Sequence, residues 1–153
     1  MGSSFLQGQL VALLVTILMS KLDLSKYAVV TNETGFIYAP KSWRILDIAV
    51  FEKSRVKKEL FSKKYVKTAP KIVIEVDTKA ELKASGDILS YVTEKTDDLL
   101  DAGVEKVIWI LTESENVLIA EPGKQWIMAK WSDTIPVLEE VTLNLEQLVQ
   151  TLA

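Results

Sequence analysis

Hydrophobic positions along the chain fall into three kinds of run. Leu6 to Leu22 is apolar on almost every face of a helix, and its densest part runs only from Leu10 to Met19. That is short of the roughly 20 residues that span a bilayer, so the pattern predicts a helix buried in the fold or in a subunit contact. Tyr27–Val30 and Gly35–Tyr38 are short β-rich runs on either side of a turn-like cluster from Asn32 to Gly35. Arg44–Phe51, Lys71–Asp77 and Val107–Leu111 are apolar at consecutive positions, the pattern of strands covered on both faces. Between the last two, Asp87–Ala102 has helical spacing and a stop at Gly103. Strand, helix and strand of these lengths predict a right-handed crossover between parallel strands. Asn116–Glu121 and Lys124–Trp131 flank Pro122 and Gly123, a hairpin signal. Asn144, with Gln147 three residues on, caps a final helix carrying Leu145, Leu148, Val149 and Leu152. Without repeats or a low-complexity linker, residues 1–153 read as one α/β domain.

Composition narrows the chemistry more than the fold. With 48% hydrophobic and 25% charged residues, disordered and fibrous classes are excluded. The chain has no cysteine and no histidine. That removes disulfides, thiol nucleophiles, imidazole bases, Ser-His-Asp triads and the usual zinc ligands. Catalysis, if any, must run on carboxylates, lysines, hydroxyls and a hard metal ion. The lack of a signal-peptide pattern points to a cytoplasmic address without membrane association.

Three acids stand where the pattern is most apolar. Asp47 lies inside the first long run; Glu75 and Asp77 lie two residues apart in the second, so they leave the same face of a strand. An unpaired carboxylate in such surroundings costs several kcal/mol or takes up a proton. One partner is Lys95, which occupies the centre of the helical stripe Ile88, Val92, Lys95, Leu99 and Ala102. The other is a divalent cation such as Mg²⁺, which takes one or two carboxylates, waters and substrate phosphates. Blander roles compete: Asp47 as a strand-end residue, Asp77 as a turn cap, and Lys95 reaching the surface along its stem.

Charge is unevenly spread. Glu52 to Lys71 holds Lys53, Arg55, Lys57, Lys58, Lys63, Lys64, Lys67 and Lys71 against only Glu52 and Glu59, in a chain of net charge −3. The excess suits a phosphate-backbone footprint, and the segment joins the two acid-bearing strands, which places it near them by connectivity. A solvated lysine-rich loop would have the same composition. Phe61 and Tyr65 are interleaved with the lysines.

Ile72–Val76 with Glu75, the segment from Glu94 and Lys95 through Leu99–Val104, and the run Lys106–Ile110 together resemble the Uma-type restriction endonuclease family of the PD-(D/E)XK nuclease superfamily. The opening helix and the stretch from Ile135 to Leu148 are similar to that family's two ends, so the resemblance spans nearly the whole chain. It implies a restriction-endonuclease-like αβββαβ core with a mixed central sheet flanked by helices. It also implies a Mg²⁺- or Mn²⁺-dependent endonuclease acting on DNA, with Asp47 and Glu75 as metal ligands and Lys95 as the family's helical lysine. The chain departs from the motif in having Leu46 where the motif has proline and Asp77 where it has lysine. Asp77 then serves as a third ligand, with Lys79 or Lys95 supplying the ammonium, or else the site has decayed. Glu33 is a further candidate acid. A second reading is a catalytically inactive nuclease-fold module that binds nucleic acid or protein as a homodimer through the apolar first helix and the four tryptophans.

Overall fold

The computed structural model describes residues 2–77 and 88–153. Helix α1 (Phe5–Lys21) starts at Ser4, whose side chain accepts the Gln7 N–H, and buries Gln7, Leu10, Leu14 and Leu18 along one stripe. Then follow β1 (Tyr27–Val30), the hairpin β2 (Thr34–Ala39) and β3 (Ser42–Leu46), β4 (Ile48–Glu52), a short helix α2 (Lys53–Val56) and a 3₁₀ turn at Lys57–Glu59. Next come β5 (Ile72–Asp77), helix α3 (Ile88–Asp101), β6 (Lys106–Leu111), β7 (Asn116–Ala120), β8 (Ile127–Lys130), β9 (Ile135–Leu138), β10 (Val141–Leu143) and α4 (Leu145–Gln150). Among the described residues no helix is long and apolar enough to cross a membrane.

Six strands form one mixed sheet in the order β1-β4-β5-β6-β7-β8. Only β5 and β6 run parallel, and α3 lies between them in the chain, as the two apolar runs require. Taking α1, β1, β4, β5, α3 and β6 in order gives the expected αβββαβ core. One sheet face packs its Ile72, Ile74, Val76, Ile108 and Ile110 against α1, the β9–β10 hairpin and α4. The other packs Val73, Val107 and Trp109 against α3 and the β2–β3 hairpin. Gly103 ends α3 at φ +109°, a left-handed conformation that suits glycine. Asn144 caps α4 by accepting the Gln147 N–H at 3.0 Å.

One expectation changes. Arg44–Phe51 is not one strand: it splits at Asp47 into β3 and β4, and β3 alternates between inward and outward residues instead of being covered on both faces. The chain also carries a β9–β10 hairpin with no glycine at its turn. Glu139 adopts φ +54° there, with Lys26 Nζ and the Tyr27 hydroxyl donating to its carboxylate at 2.9 and 2.8 Å.

Candidate functional site

The break at Asp47 follows from its own hydrogen bonds. The β4–β5 ladder ends at the Ile48–Ile74 pair. Beyond it, the Val76 N–H donates to Asp47 Oδ2 at 2.9 Å, and the Asp47 N–H donates to Glu75 Oε2 at 2.8 Å. Each acid thus accepts a backbone N–H from the other's strand. This exchange satisfies donors that a continuous ladder would have paired and turns β3 out of the sheet.

Glu75, 3% exposed, points from β5 toward α3, on the same face as Val73. Lys95, 4% exposed, comes down from the α3 stripe beside Val92 and Leu99. Its Nζ donates to Glu75 Oε1 in a buried ion pair and to the Ile45 carbonyl at 2.7 Å. The ammonium stands 5.9 Å from the Tyr91 ring centre and 5.7 Å from that of Trp109. Trp109 is itself fixed, its indole N–H donating to Thr96 Oγ1 at 2.7 Å.

Electrostatics divide the pair unequally. Burial first, then the neighbouring Glu75 charge, push the Asp47 carboxyl up to about 6, against the Val76 N–H, the Lys95 charge and a hydrogen bond with Gln7. Burial lowers Lys95, but the Glu75 charge, with Tyr91 and Asp47 adding to it, leaves the ammonium above its ordinary value. Two carboxylates facing one ammonium leave an excess of one negative charge. These are hard oxygen donors, so the residues present fit Mg²⁺ or Mn²⁺.

The other sequence candidates distribute as follows. Asp77 is buried at the end of β5 on the Glu75 face, and its carbonyl accepts from Thr112 N at 3.3 Å and Oγ1 at 2.8 Å. Among the described residues no three Asp, Glu, His or Cys side chains gather to hold a metal. Asp77 therefore does not join Asp47 and Glu75 in the expected three-carboxylate set. Lys79 lies outside the described residues. Glu33, at φ +57°, lines a pocket of about 330 Å³ together with Asp47, Ser3, Gln7, Gly8 and Thr31.

The basic segment is not near the acids by connectivity. It leaves β4 and re-enters β5 at the ends remote from Asp47 and Asp77, where Lys53 donates to the Leu24 carbonyl and Lys71 pairs with Glu52 and Glu105. Arg55, Lys57, Lys58, Lys63 and Lys64 are exposed. Only the middle of the segment returns, docking on β2 through Val66. Of the tryptophans expected to support a homodimer, Trp109 is buried, Trp126 and Trp131 are half-buried against the core, and Trp43 alone is exposed.

Sequence reasoning missed Gln7. Its amide donates to the Val76 carbonyl at 2.9 Å, beside the N–H that Asp47 takes. A polar residue in register with Leu10, Leu14 and Leu18 on an apolar stripe was the available signal. Ile45, which contributes only its carbonyl, left none.

No family model and no curated protein matches the sequence. The structure is similar to the crystal structure of "a putative nuclease belonging to DUF820" from Anabaena variabilis, with a TM-score of 0.73 and 18% identity over 96% of this chain and 79% of that one. At that identity the likeness shows the fold: this chain has the mixed α/β architecture of the Anabaena protein, a restriction-endonuclease-like fold.

Proposed function

We propose that this chain is a Mg²⁺-dependent nuclease that hydrolyses phosphodiester bonds, with DNA as its substrate. The observation that carries this reading is the contact between Asp47 and Glu75 with a single ammonium to balance them, at a place where burial first, and then the Glu75 charge, raise the Asp47 carboxyl. Such a site gains by taking up a divalent cation. Asp47 and Glu75 would hold the ion. Bound there, the cation would polarise the scissile phosphate and make a water a better nucleophile near neutral pH.

The chain's own residues have separate tasks. Lys95 fixes the rotamer of Glu75. Among the described residues two of its three donors are committed, to Glu75 and Ile45, and a third would serve a phosphate oxygen or an attacking water. Gln7 and the Val76 N–H keep the Asp47 carboxylate oriented from the far side. Lys79 remains a second candidate for the ammonium role.

A second reading rests on one observation: both Glu75 oxygens already have partners within the chain. The same geometry would serve as a structural lock in a non-catalytic, nucleic-acid-binding module. Plasmid nicking separates the two. The nuclease reading expects nicking that requires Mg²⁺ or Mn²⁺ and disappears in Asp47→Ala and in Glu75→Ala; cleavage that survives in both variants takes these residues out of the mechanism.

A further inference from the structure

The outward face of the β2–β3 hairpin differs from the rest of the surface. Gly35 pairs with Ile45 and Ile37 with Trp43 on that face, while Phe36 and Leu46 turn inward to the core and Arg44 reaches Asp98 on α3 at 2.6 Å. Trp43 is 56% exposed. Tyr65, arriving from the basic segment, lies over Gly35 so closely that a Cβ there would meet its ring at 2.5 Å. Its ring meets Trp43 edge to face at 6.4 Å between centres. The segment is clipped to β2 by two backbone bonds, Ile37 N–H to Val66 O at 2.9 Å and Val66 N–H to Gly35 O at 3.0 Å.

Two lysines lead into this aromatic shelf along the chain. Lys63 and Lys64 immediately precede Tyr65, are exposed, and make no ion pair among the described residues. Phe61, just upstream, is 97% exposed. The nearer acid of the segment, Glu59, does not answer the two lysines: its oxygens take the Lys67 N–H, the Thr68 N–H and the Thr68 hydroxyl. The shelf also leads somewhere. From Trp43, β3 runs four residues to Asp47, about 13 Å at the rise of a strand.

Flat rings beside uncompensated ammonium groups complement a base and its phosphate. A duplex keeps its base faces inside the stack and offers Trp43 no ring to cover. We infer that the shelf holds an unpaired strand of nucleic acid, with a base against Trp43 and Tyr65 and the phosphates at Lys63 and Lys64, and leads it along β3 toward Asp47. This deepens the nuclease reading and rests on it for what the strand is delivered to, but binding itself requires no cleavage.

Fluorescence polarisation of labelled oligo-dT, oligo-U and a blunt duplex, with the full chain in chelator, tests the shelf. The single strands are expected to bind more tightly than the duplex and to quench tryptophan emission. Trp43→Ala should weaken them roughly tenfold. The double variant Lys63→Glu, Lys64→Glu should weaken them further and flatten the salt dependence. Binding of either oligonucleotide through Trp43 supports the inference, and their ratio reports whether the 2′-hydroxyl is sensed. Unchanged binding in both variants, a preference for duplex, or a dimer that Trp43→Ala dissociates with no effect on oligonucleotide affinity would overturn it. Shelf-dependent binding by a chain that never cleaves sinks the nuclease reading alone; metal-dependent cleavage indifferent to Trp43→Ala sinks the shelf alone.

Discussion

Asp47 is the residue on which fold and chemistry conflict. Its carboxyl, raised from 3.8 to about 6, holds more protons folded than unfolded. Its contribution to stability is therefore fully present below about pH 4 and is lost as pH rises through 6. The shift corresponds to about 3 kcal/mol at 1.36 kcal/mol per pKa unit, an upper figure for what the fold gives up at neutral pH to keep an anion there. In chelator at pH 7.5, Asp47→Asn should melt several degrees above the parent chain, since asparagine can still accept the Val76 N–H without carrying charge. Below pH 4 the two should melt together. A variant that melts lower at pH 7.5 would mean that the carboxylate stabilises the break in the strand more than its charge costs.

At the scale of elements, the placement of β2–β3 depends on the close approach of Tyr65 to Gly35. A side chain on Gly35 has no space beneath the ring, so Gly35→Ala must push the 60s segment off the hairpin or tilt the hairpin itself. Overpacking of this kind costs about 1–3 kcal/mol. Chemical denaturation should show that loss, together with proteolytic nicking between Leu60 and Lys67 in the variant; a parent-like midpoint would show that the segment adapts freely. The elements that were legible in the sequence are those whose pattern is local. Val107–Leu111 and Lys71–Asp77 are apolar at consecutive positions, and α3 carries its stripe with Lys95 at the centre, which raises a buried lysine as one of two readings beside a stem that reaches the surface. The break at Asp47 could not be read there, because it arises from a bond between Asp47 and Val76, 29 residues apart. The β9–β10 turn was hidden for the same reason: Glu139 holds a left-handed backbone through contacts with Lys26 and Tyr27, more than 100 residues away. The basic segment is misleading because connectivity does not set proximity: antiparallel β4 and β5 put its two ends at the far side of the sheet.

Across the whole molecule, the mixed sheet makes the acid site a junction. β3, β4 and β5 meet there, α1 reaches it through Gln7, and α3 reaches it through Lys95. A ligand that binds only when these five elements are assembled must stabilise all of them at once. For a cation at one hundred times its dissociation constant the gain is about 2.7 kcal/mol, which for a chain of this size is roughly 5–10 °C in melting temperature. Mg²⁺ or Mn²⁺ should therefore raise the melting temperature of the parent chain in a saturable way at pH 7.5. The rise should shrink below pH 6, where Asp47 must first lose a proton. It should also be absent from Asp47→Asn and Glu75→Gln, whereas Trp43→Ala, remote from the donors, should retain it in full. NaCl at matched ionic strength serves as the control for nonspecific screening, since a general salt effect would act on every variant alike. If neither Mg²⁺ nor Mn²⁺ moves the parent chain, the Lys95 ammonium is the only cation the carboxylates need, and the junction works as a lock that holds hairpin, sheet and helices in register.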